Sequence, residues 1–163
     1  MSRQQAFLAT DLWQDGVVQG QWRAGAGSST GVGPAPGAGW GRGGLADPAL
    51  LASQAAEAAG AQKNWAALPY DERAEVLRKA ARLAEDHADE IASWVVRESG
   101  SIQMKAGFEV AVTIKALHEA AGLPSRSAGE VLPSEPGRLS LARRRPLGVV
   151  GVIPPFNFPL YLA

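Results

Sequence analysis

The chain has 163 residues with 16 basic and 16 acidic side chains, which suits a single domain and gives no electrostatic basis for binding nucleic acid or an anionic membrane. It has no cysteine, and this excludes a disulfide, a thiolate metal site or a cysteine nucleophile among these residues. No apolar stretch approaches the roughly 20 residues of a membrane span, and no secretory signal is recognisable, so we expect a cytoplasmic protein without a membrane segment.

Glycine dominates the first part of the chain. Residues 16–44 hold more than half of the nineteen glycines, a composition with high unfolded-chain entropy and little apolar surface to offset it. The closely spaced glycines at 25–27 and 31–33 lack the preceding strand and the third glycine of a dinucleotide-binding loop. We therefore predict that residues 1–44 form a glycine-rich, poorly ordered N-terminal segment.

The first predicted helix lies at the start of the segment formed by residues 45–128. Asp47 is a suitable N-cap acceptor, and Pro48 suits the first helical position. The alanine-rich sequence that follows, through about Ala66, has high intrinsic helix propensity. This pattern predicts a helix of about five turns.

Two further amphipathic helices are predicted. The second begins at Pro69 and ends at Gly100, which suits a left-handed cap, and its apolar stripe is Leu77, Ala80, Ala84, Ala88, Ile91 and Val95. The third begins after a capping Ser101 and ends before Gly122. Its apolar stripe is Ile102, Ala106, Val110, Ile114, Leu117 and Ala121.

The titratable side chains of these helices are interpreted as ordinary surface groups. Charged residues outside the stripes, such as Glu98, Lys105 and Lys115, are typical of a solvated face. The two histidines are far apart and lack a partner motif, so no metal site is predicted at His87 or His118.

The periodicity changes at residue 129. Two short strands are predicted on either side of a turn at Pro136 and Gly137, with Leu139 and Leu141 on one face of the second strand. The three arginines at 143–145 are interpreted as a solvated or subunit-contacting edge. A phosphate-binding cluster is the less favoured alternative.

The last sixteen residues predict a strand, a tight turn and the start of a helix. The apolar run at 149–153 lacks alternation, which is typical of a strand buried on both faces. Pro159 suits the first position of a helix. Asn157 lies between them, at the carboxyl end of the strand, where open α/β sheets bind ligands. An ordinary turn residue is the alternative for Asn157.

The sequence of residues 144–160, Arg-Arg-Pro-Leu-Gly-Val-Val-Gly-Val-Ile-Pro-Pro-Phe-Asn-Phe-Pro-Leu, resembles the aldehyde dehydrogenase superfamily. Segments at 65–69, 71–74, 97–102 and 129–135 are similar to the same family in order and spacing. The last two, together with residues 152–159, are most similar to its bacterial benzaldehyde dehydrogenase branch. The resemblance covers residues 45–163. Residues 16–44 depart from the family, which usually has a strand hairpin there.

The resemblance implies an α/β fold, here the N-terminal part of an aldehyde dehydrogenase-like fold, truncated and mostly helical. Residues 45–128 would be the helical part of the cofactor domain. Residues 129–147 would be the β-hairpin of an oligomerisation arm. Residues 148–163 would hold the first strand of a Rossmann-like sheet and the active-site turn.

The resemblance also implies a chemistry. In the family a cysteine thiolate attacks the aldehyde, hydride passes to NAD or NADP, and a glutamate-activated water hydrolyses the thioester. Asn157 matches the family asparagine that stabilises the oxyanion. Four residues match the segment that lines the cofactor cleft: Ile153, Pro154, Pro155 and Phe156.

The family's nucleophilic cysteine, general-base glutamate and glycine-rich cofactor turn lie after this motif. We therefore expect an N-terminal fragment of an NAD(P)-dependent enzyme that oxidises aromatic aldehydes to carboxylic acids, inactive as these 163 residues alone. The complete form would be a homo-oligomer acting on a small-molecule aldehyde. The alternative from another class is a non-catalytic helical module that binds a protein partner.

Overall fold

The computed structural model describes residues 8–18, 20–32 and 39–163. The chain is an α/β structure with more helix than strand. Its helices are α1 (Thr10–Trp13), α2 (Pro48–Ala67), α3 (Tyr70–Asp86), α4 (Ala88–Ser99) and α5 (Gln103–Ala121), with a 3-10 turn at Leu123–Ser125. Its strands are β1 (Gly16–Val18), β2 (Trp22–Ala24), β3 (Gly27–Val32), β4 (Gly39–Leu45), β5 (Gly129–Leu132) and β6 (Ser140–Arg143).

The strands form three antiparallel pairs, β1 with β2, β3 with β4, and β5 with β6. The prediction of a poorly ordered segment is therefore wrong for the described part of residues 16–44, where four strands lie. Residues 1–7, 19 and 33–38, which that prediction also covered, lie outside the described residues. The strand hairpin that is usual in the resembled family is present here as β3 and β4.

Close backbone approach explains why this glycine-rich sequence forms strands. A Cβ added to Gly44 would lie 2.6 Å from the carbonyl of Gly16, and one added to Gly41, whose φ is +144°, would overlap the ring of Trp13. The glycines at these positions therefore allow strands to pack against one another and against an aromatic ring. The composition of the segment indicates the entropy cost of its glycines but does not indicate this packing.

The first helix forms as predicted. The side chain of Asp47 accepts a hydrogen bond from the backbone N–H of Leu50 at 2.6 Å, and Pro48 occupies the first helical position. No residue of α2 is buried, so its stability depends mainly on helix propensity and on this cap.

Replacing Asp47 with alanine is expected to lower the free energy of unfolding by about 1 kcal/mol, because a helix N–H loses its acceptor. Urea denaturation followed by circular dichroism measures the change. The Asp47→Asn variant keeps an acceptor oxygen and is expected to stay within a few tenths of a kcal/mol of the parent. Equal losses in the two variants would show that the side-chain cap does not stabilise α2.

The second predicted helix is two helices in the structure. The chain bends at His87, which has φ −117° and ψ 22° and separates α3 from α4. The bend lets both helices pack against α5. Buried alanines on each side of it, Ala81 in α3 and Ala92 in α4, mark the two contact faces. The single-helix prediction is thus wrong at His87, while the cap at Gly100 is confirmed by its left-handed φ of 69°.

The core lies between α4 and α5. It consists of Ala92, Val95, Ala106 and Val110, with partly buried side chains around it that include Ile114 and Leu160. Of the predicted stripes, Val95, Ala106 and Val110 are buried in this core and Ile114 packs against it, whereas Ile102 is exposed. The buried residues of α3 are Ala74 and Ala81, which the predicted stripe did not include. Ser101 does not cap α5, because the N-cap is Ile102. The Ser101 hydroxyl lies 2.7 Å from that of Ser99 instead.

The hairpin predicted after residue 129 is confirmed. β5 pairs with β6 in a register that joins Gly129 to Arg143 and Leu132 to Ser140. Its apolar side chains point to solvent, with Val131 and Leu139 both more than two-thirds exposed. The hairpin is therefore held mainly by backbone hydrogen bonds, and few of its side chains are buried.

The end of the chain departs from its prediction. Residues 149–153 form no strand with any other described residue, because a strand needs a neighbour to pair its backbone groups. Their side chains are consequently exposed. The predicted helix at Pro159 is one turn, in which Leu162 N–H donates to the carbonyl of Phe158 at 3.3 Å. No helix within the described ranges is long and apolar enough to cross a membrane.

Candidate functional site

Asn157 lies in a tight turn. The backbone N–H of Phe158 donates to the carbonyl oxygen of Pro155 at 3.2 Å, which places Phe156 and Asn157 at the two central positions. The Asn157 side chain is exposed, and its amide makes no hydrogen bond within the described part of the chain. An exposed amide without a partner is available to donate to a ligand.

The four residues predicted to line a cofactor cleft precede this turn directly. Ile153 is 98% exposed and Phe156 is 85% exposed, while Pro154 is half-buried. The structure brings the five predicted residues together as chain neighbours on one exposed segment. None of the five lines the cavity beside Trp13 and Trp94 or the one beside Val112 and Lys115.

Glu109, which the sequence did not single out, is the one buried charged residue among those the structure describes. It lies on α5, and its Oε1 accepts hydrogen bonds from the backbone N–H of Leu160 at 2.8 Å and of Tyr161 at 3.3 Å. Its Oε2 accepts from the ammonium of Lys105, one helical turn earlier. The carboxylate thus joins α5 to the turn that follows Asn157.

Glu109 is held in its ionised form. Burial raises the pKa of its carboxyl, but the hydrogen bond from Lys105, the two backbone N–H groups and the positive charge of Lys105 outweigh burial. The net result is a pKa below the ordinary value. An ionised carboxylate oxygen accepts hydrogen bonds from backbone N–H groups more strongly than a neutral carboxyl oxygen does.

The ring of Phe158 supplies a second attachment between α5 and the turn. The Lys105 ammonium lies 4.4 Å from its centroid, within range of a cation–π contact. The rings of Phe108 and Tyr161 meet it edge-on at 6.5 and 6.4 Å. The interpretation of Lys105 as a solvated charge is therefore wrong, since its ammonium binds a carboxylate and an aromatic face.

A weak signal for Glu109 existed in the sequence. It follows Ala106 by three residues and precedes Val110, so it falls within the stripe that packs against α4. A glutamate four residues after a lysine is typical of a solvated ion pair, and that pattern concealed its burial. Only the long-range contact with residues 160 and 161 reveals its role.

A cavity of about 530 Å³ lies beside the turn. Its walls are mainly apolar and include Trp13, Trp94, Val95 and Leu160. Glu98 also lines it, and burial raises the pKa of that carboxyl. Within the described ranges, no three histidine or acidic side chains are close enough together to hold a metal ion.

The chain, including this turn, is similar to known proteins. The profile of the aldehyde dehydrogenase family matches residues 22–163. A vanillin dehydrogenase from an Amycolatopsis species is 52% identical over 159 residues, which are 97% of this chain and 33% of that protein. A benzaldehyde dehydrogenase (NAD⁺) from Pseudomonas putida is 42% identical over 154 residues, 93% of this chain and 32% of that protein.

Solved structures agree with the sequence comparison. An NAD-dependent benzaldehyde dehydrogenase from Corynebacterium glutamicum superposes with a TM-score of 0.84 at 37% identity, covering 90% of this chain and 33% of that one. The chain therefore spans about a third of the length of the relatives it matches.

Proposed function

This chain belongs to the aldehyde dehydrogenase family, and from that premise we propose that it supplies the oxyanion-binding turn of an NAD(P)-dependent enzyme that oxidises aldehydes to carboxylic acids. The observation that carries the proposal is the exposed amide of Asn157 at the centre of a tight turn, which has no hydrogen-bond partner among the described residues. In this reaction one aldehyde, one water and one NAD(P)⁺ give one carboxylate, one NAD(P)H and two protons.

Asn157 would act on the oxygen of the aldehyde. When a nucleophile adds to the carbonyl carbon, that oxygen gains negative charge, and an N–H donor aimed at it stabilises the transition state more than the substrate. An amide suits this position because it donates a hydrogen bond and does not titrate. It therefore stays neutral beside an anionic nucleophile.

The segment before Asn157 fits one part of a nicotinamide cofactor. Pro154 and Pro155 have no backbone N–H, so this segment offers few donors for a pyrophosphate. Ile153 and Phe156 expose apolar side chains that would pack against a planar ring. When bound, the cofactor would supply the hydride acceptor. The phosphates would need donors from other residues of the enzyme.

Aromatic aldehydes are the proposed substrate class. The support is the similarity to a vanillin dehydrogenase and to two benzaldehyde dehydrogenases. We further propose that the complete enzyme is a homo-oligomer in which the β5–β6 hairpin is an arm. The support for the arm is the hairpin's exposed apolar side chains, Val131, Leu139 and Leu141, which would gain by burial against a second subunit.

The nucleophile has to come from outside these 163 residues, because they contain no cysteine. We expect the chain alone to be inactive. A chimera in which this chain replaces the matching third of the Amycolatopsis vanillin dehydrogenase is expected to reduce NAD when vanillin is added, as measured by NADH absorbance. The unaltered host enzyme is the control.

Two results would overturn the proposal. One is aldehyde-dependent NAD reduction by the purified 163-residue chain. The other is a folded chimera that binds NAD as tightly as the host but does not oxidise vanillin, which would mean that this chain does not supply a competent oxyanion-binding turn.

A further inference from the structure

Glu109 makes contacts that the proposed chemistry does not itself require. Its carboxylate is fully buried, and all three of its described hydrogen-bond partners lie at the turn or at Lys105. The backbone groups it holds, at Leu160 and Tyr161, are more than fifty residues away in sequence. Burying a carboxylate is costly unless its partners compensate, so this contact fixes the position of the turn on α5.

The link between the held backbone and Asn157 is short and stiff. Only Phe158 and Pro159 lie between Asn157 and Leu160. The pyrrolidine ring fixes φ at Pro159 and also restricts the backbone of the residue before it. The Phe158 ring is further held by the Lys105 ammonium. A displacement of the Leu160 backbone is therefore expected to move Asn157 as well.

We propose that Glu109, together with Lys105, is a positioning pair for Asn157: by holding the backbone N–H groups of Leu160 and Tyr161, it sets the direction of the Asn157 amide toward the reacting aldehyde oxygen. The inference rests on the proposed oxyanion role of Asn157. It assigns Glu109 no contact with substrate or cofactor. A misplacement of about 1 Å in a catalytic group costs on the order of 100-fold in rate.

A double-mutant cycle in the chimera tests this inference. The Glu109→Met variant keeps the length of the side chain and removes both acceptors, while Glu109→Gln keeps one acceptor oxygen. We expect Glu109→Met to lower kcat by about 10- to 100-fold with the KM for vanillin changed less than about 3-fold. Glu109→Gln is expected to recover most of the loss. Glu119→Met, at an exposed position of the same helix, should leave kcat unchanged.

Making the same Glu109 substitutions in the Asn157→Ala chimera distinguishes an effect on kcat that acts through Asn157 from one caused by a general loss of stability. If Glu109 acts through Asn157, its effect on kcat should disappear once the amide is absent. A Glu109 effect of equal size in both backgrounds, or none in either, would overturn the inference. If Glu109→Met does not fold, Lys105→Met, which removes the ammonium that holds the same carboxylate, takes its place in the cycle with the same criteria. A separate outcome, in which Asn157→Ala alone leaves kcat unchanged, would refute the proposed function itself.

Discussion

Replacing Asn157 with alanine in the chimera is expected to lower kcat for vanillin oxidation by about 100- to 1000-fold, the effect of losing one oxyanion donor in other enzymes. The KM for vanillin should change little, because the hydrogen bond strengthens only as charge develops on the oxygen. Steady-state kinetics at saturating NAD measure both constants.

The chain offers a matched control for that experiment in Asn64, its other asparagine, which is exposed on α2. The Asn64→Ala chimera should keep the parent kcat. A loss of less than 5-fold in Asn157→Ala would contradict the oxyanion role, and so would a loss confined to KM. In either case the alternative for Asn157, an ordinary turn residue, would be the better interpretation.

Replacing Glu109 with alanine is expected to lower the free energy of unfolding by about 3 kcal/mol at neutral pH. The change leaves the Lys105 ammonium without its carboxylate and two backbone N–H groups without an acceptor, and breaking a buried ion pair in this way is strongly destabilising. Urea denaturation of the 163-residue chain and its variant measures the difference. Glu119→Ala, on an exposed part of α5, is the control and should change stability little.

The pH dependence of that difference has a definite sign. The folded-state pKa of Glu109 lies below its ordinary value of 4.5, so the carboxylate stabilises the fold above that pH. Its contribution is lost as the pH falls through the lowered folded-state value. The difference between parent and Glu109→Ala should therefore shrink below pH 4.5. A difference that stays constant down to acid pH would show that the ion pair is not its cause.

Local signals were sufficient for the start of α2, the end of α4 and the C-terminal hairpin. Asp47 and Pro48 start α2, Gly100 ends α4, and the residues flanking Pro136 and Gly137 pair as β5 and β6. Each of these features depends on side chains within a few residues of one another. Such features can be read from spacing and turn chemistry.

Features that depend on distant contacts could not be predicted in the same way. The break at His87 follows from packing two helices on α5, and the glycine-rich strands follow from backbone contacts such as Gly44 with Gly16. The burial of Glu109 depends on Leu160 and Tyr161. In each case the local sequence is compatible with another structure, and only the packed chain decides between them.

The five residues predicted for the site form one contiguous motif. Asn157 and the four residues before it lie together for reasons of chain connectivity, as the turn closed by Phe158 and Pro155 shows. The strand predicted just before the turn is absent, because residues 149–153 have no strand to pair with among the described residues. The role of Ile153, Pro154, Pro155 and Phe156 in a cofactor cleft remains a proposal.

The most direct test of the oxyanion role is a crystal structure of the chimera with an aldehyde adduct trapped on the nucleophile of the host. The expected distance from the Asn157 amide nitrogen to the adduct oxygen is about 2.7 to 3.1 Å, the range of an oxyanion-hole donor. An adduct oxygen held by other groups, with the Asn157 side chain turned into solvent, would contradict it.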